Sequence, residues 1–250
     1  MKNRDAYLVE MGLGPLWKLR NPVDSQVPSV ASEERASVVI SLSTPDAQLV
    51  AAPSLDVRRL AISQMDWPEL KTSVAECRAC DLCKTRKQAV LGVGDVQADW
   101  LFIGEGPGAE EDERGEPFVG QAGKLLDAML AAIDLKRGED VYIANAVKCR
   151  PPNNRTPEPA ETAACWPYLQ RQIDLIKPKV IIALGRPAAQ SLLQTEIKIS
   201  AARGKLFDHR GIPVIVSYHP AYLLRTLQDK AKAWEDLLFA RNTMRKRKEN

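Results

Sequence analysis

The chain has 250 residues, 45% of them hydrophobic and 27% charged, with a formal net charge of +3. That composition excludes wholesale disorder and collagen-like repeats, and so small a charge does not by itself mark a nucleic-acid binder. Mean hydropathy is −0.26 and no apolar run approaches the roughly 18–20 residues of a membrane span, so no membrane partner is expected. Met1-Lys-Asn-Arg-Asp5 carries no apolar signal segment, and a cytoplasmic location is expected.

In chain order, residues 1–20 hold a short apolar cluster in which Tyr7, Leu8 and Met11 share a helical face before Gly12 and Gly14 interrupt it. Residues 21–66 are read as a flexible linker. Positions 21–65 have no Phe, Tyr or Trp, too little to offset the entropy of ordering, apart from a helix read near Val57–Ser63. A compact domain is expected from Trp67 to the C-terminus.

Within it, strand and helix alternate. Trp100–Glu105, Val141–Val147, Val180–Leu184 and Ile212–Tyr218 read as strands. Ala122–Ile133, Glu158–Ile176 (with Thr156 as N-cap and Pro157 at N1), a segment opened by Gly185-Arg-Pro187, and Trp234–Lys246 read as helices. The basic tail reads as a solvated, fraying helix end or a weak phosphate contact. Four strands joined by helical crossovers predict a three-layer α/β/α sandwich with a central four-stranded parallel sheet, after a mostly disordered N-terminal extension. Ligands in such folds bind beyond the carboxyl ends of the strands, here the loops after Ile103, Val147, Leu184 and Val216.

Five cysteines are present: Cys77, Cys80, Cys83, Cys149 and Cys165. Two-residue separations from Cys77 to Cys83 let thiolates converge on one centre, and Cys149 and Cys165 could join them across a strand and its following helix. Spacing leaves zinc, an iron–sulfur cluster and unrelated buried thiols all open. One thiol of the triplet is surplus to a four-ligand site.

The turn Gly104-Glu-Gly-Pro-Gly108 lacks the lysine of a phosphate loop and is followed by Glu110, Glu111, Asp112 and Glu113. It suits a neutral ring read through backbone N–H groups. Phe118, between Pro117 and Gly120, is either a stacking surface or a core residue. Asn145, at a strand end, has the donors and acceptor to read a pyrimidine edge, or else it caps a turn. Of the two histidines, His209 lies in a polar segment expected at the surface, whereas His219 follows the fourth strand where catalytic groups gather.

Together these segments resemble the family 4 (iron–sulfur) uracil-DNA glycosylases of the uracil-DNA glycosylase superfamily. The matching stretches are Gly104–Gly108, Glu111-Asp112, Gly115–Gly120 with Ala122-Gly123, Asn145-Ala-Val-Lys-Cys-Arg-Pro-Pro152, Cys165 and His219-Pro-Ala-Tyr-Leu-Leu-Arg225. The resemblance implies that Cys77, Cys80, Cys149 and Cys165 hold a 4Fe-4S cluster, with Cys83 the surplus thiol and the cluster's role structural. It implies that Phe118 stacks on uracil and Asn145 reads its edge. Glu105, Gly106 and Pro107 then floor the pocket, Glu111 stands near uracil C5, and His219 contacts O2. Leu223, Leu224 and Arg225 enter the DNA, with Leu223 or Leu224 filling the vacated stack.

The resemblance also implies release of uracil from DNA by a dissociative mechanism, in which water attacks a sugar oxocarbenium ion late. The aspartate that activates water in another branch is replaced here by Gly106, so Glu105 or a backbone group orients the water. Pro151–Pro157 contains no histidine, which excludes the covalent-trapping branch. A monomer is expected. Tyr7–Leu13 with Trp17 and Arg20 resembles the short N-terminal peptide of the DNA polymerase III psi subunit, which implies a docking peptide for replication machinery. The rival reading is a non-catalytic, metal-containing nucleic-acid binding module.

Overall fold

Four apolar strands sit side by side because each has both faces covered. In β2 (Trp100–Gly104) Trp100 and Phe102 point into one core, while Leu101 and Ile103 point into the other. β2 pairs in parallel with β3 (Val141–Asn145) and with β4 (Val180–Leu184), and β4 pairs in parallel with β6 (Ile212–Ser217). The computed structural model describes residues 53–249. The proposed docking peptide (residues 1–20) and most of the proposed linker lie outside them.

The sheet has six strands in the order β1-β3-β2-β4-β6-β5, two more than the sequence predicts. Both additions are antiparallel edges: β1 (Val93–Gly94) on β3, and β5 (Leu206–His209) on β6. The central four are the expected parallel set. Helices α3 (Ala109–Arg114), α4 (Gln121–Ala132), α5 (Pro159–Ile176), α6 (Arg186–Leu193), α7 (Ile199–Ala202), α8 (Pro220–Leu223) and α9 (Lys230–Glu249) complete the α/β arrangement.

The packed body extends to the N-terminal side of Trp67. Helix α1 (Pro53–Gln64) lies against α5, with Ile62 buried and the Arg58 guanidinium donating to the Ala164 carbonyl at 2.8 Å. Helix α2 (Trp67–Glu76) starts at a capping box between Asp66 and Glu69. Together α1, α2 and α5 build a third apolar cluster around Cys149 and Cys165.

Three local expectations are corrected. Helix α5 is capped by Glu158, whose box partner is Glu161, rather than by Thr156. His209 is buried, edge-on to the Trp166 ring at 5.8 Å, because α5 reaches over the β5 edge. The basic tail is docked: Lys248 pairs with Asp99 at 2.8 Å and Asp140 at 3.4 Å, and Arg247 donates to the Gly211 carbonyl. No helix among the described residues is long and apolar enough to cross a membrane.

Candidate active site

Parallel pairing brings the carboxyl ends of the central strands level. Gly104 of β2 lies beside Asn145 of β3, and Leu184 of β4 beside Ser217 of β6. A cleft of about 790 Å³ opens beyond these ends, lined by Glu105, Gly106, Pro107, Phe118, Asn145 and His219 among others. The chain runs from β2 to β3 on one side and then to β4 on the other, so this is a topological switch point.

Asn145 is nearly fully buried, yet its Oδ1 has no hydrogen-bond partner among the described residues. Such an atom costs on the order of 1–3 kcal/mol, and Asn145 is one of the residues that line the cleft. A methyl on Gly104 would stand 2.5 Å from that oxygen and 2.6 Å from the Phe118 ring. Glycine at the end of β2 is therefore what lets the amide and the aromatic ring share one wall.

Phe118 sits at φ +55, an uncommon backbone state for an aromatic residue. Its carbonyl comes so close against α4 that a Cβ on Gly123 would clash with it. Glu111 ties the surrounding loops together. One carboxylate oxygen accepts the Gly108 N–H at 3.1 Å, and the other accepts those of Val119 and Gly120 at 2.9 and 3.1 Å. The acidity of α3 that argues against a phosphate is thus partly spent on organising backbone.

His219 caps α8, its Nδ1 accepting the Ala221 N–H at 3.1 Å. That bond leaves the proton of a neutral ring on Nε2. Burial, helped by the Arg225 charge, pushes the imidazole pKa down to about 4, so the ring is neutral at pH 7. Glu105 is half-buried, and burial raises its pKa against a Thr156 hydrogen bond and the Arg186 charge. The site can therefore hold a flat polar ring, offer it an uncharged N–H donor, and keep a carboxyl at its mouth.

Of the three residues expected to enter DNA, Leu224 and Arg225 are exposed, whereas Leu223 is completely buried in the core. Leu223 is thus corrected to a packing residue, since the single turn of α8 points it inward. Arg186, Tyr218 and Tyr222 line the cleft as well, the two tyrosine rings stacking at 5.1 Å. The sequence offered no sign of these beyond their positions after β4 and β6.

A second, small cavity is lined by Cys77, Cys80, Cys149 and Cys165, whereas Cys83 borders a different surface groove. No trio of Cys, His, Asp or Glu among the described residues closes to single-ion spacing; all four thiols nevertheless face this one cavity. Burial pushes the Cys149 thiol up to about 11 and Cys165 to about 12. Nearby donors offset part of that cost. Arg86 donates to Cys149 Sγ at 2.7 Å, Arg58 to Cys77 Sγ at 3.7 Å, and the Lys148 N–H to Cys165 Sγ at 3.2 Å. Lys148 links the two sites: its buried ammonium donates to the Asn145 carbonyl at 2.8 Å and to Gln172 Oε1 at 2.5 Å.

The family model described as the uracil DNA glycosylase superfamily matches residues 91–238. The type-4 uracil-DNA glycosylase of Archaeoglobus fulgidus is 49% identical over 164 residues, covering 62% of this chain and 82% of the relative. That of Thermotoga maritima is 45% identical over 177 residues, covering 69% and 92%. A type-5 uracil-DNA glycosylase of Pyrobaculum aerophilum is more distant, 31% identical over 146 residues, covering 52% and 64%.

Proposed function

Because the chain belongs to the uracil-DNA glycosylase superfamily, in its type-4 branch, we propose a division of labour in the cleft for its reaction. It is a DNA-repair hydrolase that cleaves the N-glycosidic bond of uracil in DNA. The relatives do not favour the rival reading as a non-catalytic binding module.

The scissile bond lies inside the stack, so the nucleotide must first be everted, at a cost of a few kcal/mol. Leu224, exposed beside the cleft residues of α8, fills the gap, and Arg225 meets the backbone. The everted base stacks against Phe118. Asn145 accepts the uracil N3–H through Oδ1 and donates to O4 through Nδ2. Cytosine reverses both polarities and is rejected by unpaired buried groups. The unpartnered Asn145 oxygen is the observation that carries this reading.

As the bond to C1′ lengthens, negative charge grows on uracil O2. The His219 Nε2–H donates there, and such a donor is worth roughly 3 kcal/mol in comparable sites. A neutral donor suits the step because His219 is held below its usual pKa. Water, oriented by Glu105 or by a backbone group, then adds to the oxocarbenium carbon, and the proton it loses neutralises the departing uracil anion. The Glu105 carboxyl is held at the cleft mouth by Thr156.

Cys77, Cys80, Cys149 and Cys165 fit a 4Fe-4S cluster, since four thiols and several N–H donors surround one cavity. Held by these residues, a cluster would tie together the segment after α2 (Cys77 and Cys80), the loop after β3 (Cys149) and α5 (Cys165). Residues 1–20 supply a docking peptide toward replication machinery, a reading that rests on sequence alone; unchanged partners in a pull-down without them would remove it.

The direct test is incubation with an oligonucleotide carrying one uracil. Alkali-labile abasic product and free uracil are expected from wild type and not from Asn145→Ala. Retarded but intact DNA from the wild-type protein would overturn the reading.

A further inference from the structure

We propose that Arg137, which touches neither the cleft nor the cysteines, is a positioning residue that fixes the aromatic wall of the base pocket. The inference rests on the reading of Phe118 as the stacking residue.

Phe118 needs holding. Its backbone is in the left-handed region, and its carbonyl and that of Pro117 must both find donors in a turn that makes no regular ladder. Arg137 supplies both from one side chain. Its Nη1 donates to the Pro117 carbonyl and its Nη2 to the Phe118 carbonyl, each at 2.8 Å. The guanidinium is aimed by Asp127 of α4, whose Oδ1 accepts from Nε at 2.9 Å and lies 2.9 Å from Nη2. Only 22% of the Arg137 side chain is exposed, which limits how far solvent screens these contacts.

The planar fork matters. Two successive carbonyls at fixed spacing fit two N–H groups of a rigid guanidinium, whereas a lysine ammonium is a single point donor. The opposite flank of the turn is held by Glu111 on the Val119 and Gly120 amides. Arg137 from one side and Glu111 from the other thus clamp the one residue whose ring packs 5.4 Å from that of His219. Releasing the carbonyl side lets the turn relax and swings the ring away from its stacking place, with no change to any group that touches the base.

The test uses the full-length protein and free uracil as the probe, read as competitive inhibition of release from a uracil-containing oligonucleotide. Arg137→Ala should raise the uracil inhibition constant and lower kcat by between roughly tenfold and a hundredfold. Affinity for uracil-free duplex should be unchanged. Arg137→Lys should fall between wild type and Arg137→Ala, and it supplies the readout if the alanine variant fails to fold. In a Phe118→Leu background, Arg137→Lys should add no further loss of uracil binding, because both changes act through one ring.

Two outcomes overturn the inference alone: unaltered uracil inhibition in Arg137→Lys and Arg137→Ala while Phe118→Leu weakens it, or fully additive losses in the double variant. If Phe118→Leu itself leaves uracil inhibition unaltered, the stacking reading falls first.

Discussion

The rings of Phe118 and His219 lie 5.4 Å apart, inclined by 29°. Two stacking gaps of about 3.5 Å would be needed to admit a third ring between them, so the pair cannot sandwich a base. Phe118 must meet it with a face and His219 with an edge, through Nε2. Removing the edge donor alone should then cost rate more than capture. His219→Ala is expected to slow single-turnover uracil release on the order of 10²–10³-fold while weakening free-uracil binding much less. Equal losses in both would assign the imidazole to binding.

The pH behaviour of that ring has a definite sign. Its folded pKa, about 4, lies below the value of roughly 6.5 in the unfolded chain. The unfolded state therefore binds more protons between these values, and stability falls as pH drops from 6.5 towards 4. Release should show no His219 titration above about pH 5, with an acid limb below it. Urea midpoints of wild type and His219→Gln, compared across that interval, should converge as pH falls. Parallel curves would remove the assignment.

Gly104→Ala tests the shared wall. A methyl there meets the Asn145 oxygen at 2.5 Å and the Phe118 ring at 2.6 Å. Overpacking of this kind typically costs 1–3 kcal/mol. The variant should still fold in urea titrations yet lose nearly all uracil release; retained activity would show that the wall yields.

Adjacent leucines should part company. Leu223 is fully buried, whereas Leu224 is 41% exposed. Leu223→Ala is expected to destabilise by about 2–5 kcal/mol. Leu224→Ala should leave the melting temperature in place and slow release from duplex more than from single strands, where no stack needs filling. Equal slowing on both substrates would deny Leu224 its wedge role.

Serine substitution sorts the five cysteines. Changes at Cys77, Cys80, Cys149 or Cys165 should cost visible absorbance and bound iron, because these four line the buried cavity; Cys83→Ser should keep both, since Cys83 borders another groove. Iron content measured on each purified variant decides the matter, and loss of iron in Cys83→Ser would redraw the ligand set.

Much of the fold is legible in the sequence. Trp100–Gly104 and Val180–Leu184 are continuous apolar runs because both faces of the sheet are covered, and they stand out in the sequence for that reason. β5 does not: an edge strand exposed at Leu206 and polar at Asp208 has no apolar run to betray it. The strand-end positions of Asn145 and His219 were readable from topology. The inward turn of Leu223 was not, because a four-residue helix is too short to show any periodicity. Nor was Arg137, whose partners are main-chain carbonyls and leave no pattern in side-chain order.

Glu111 lines the cleft, and both its oxygens are committed to three amides on two loops. The 106–108 turn and the 118–120 turn are thereby one rigid piece before anything enters. Little ordering entropy is then left for the protein to lose on capture, and the thermodynamic burden of recognition falls on the nucleic acid, whose stacking must be given up. Discrimination among damaged sites follows: the weaker the local pairing, the sooner its base is presented to a receptacle that is already complete.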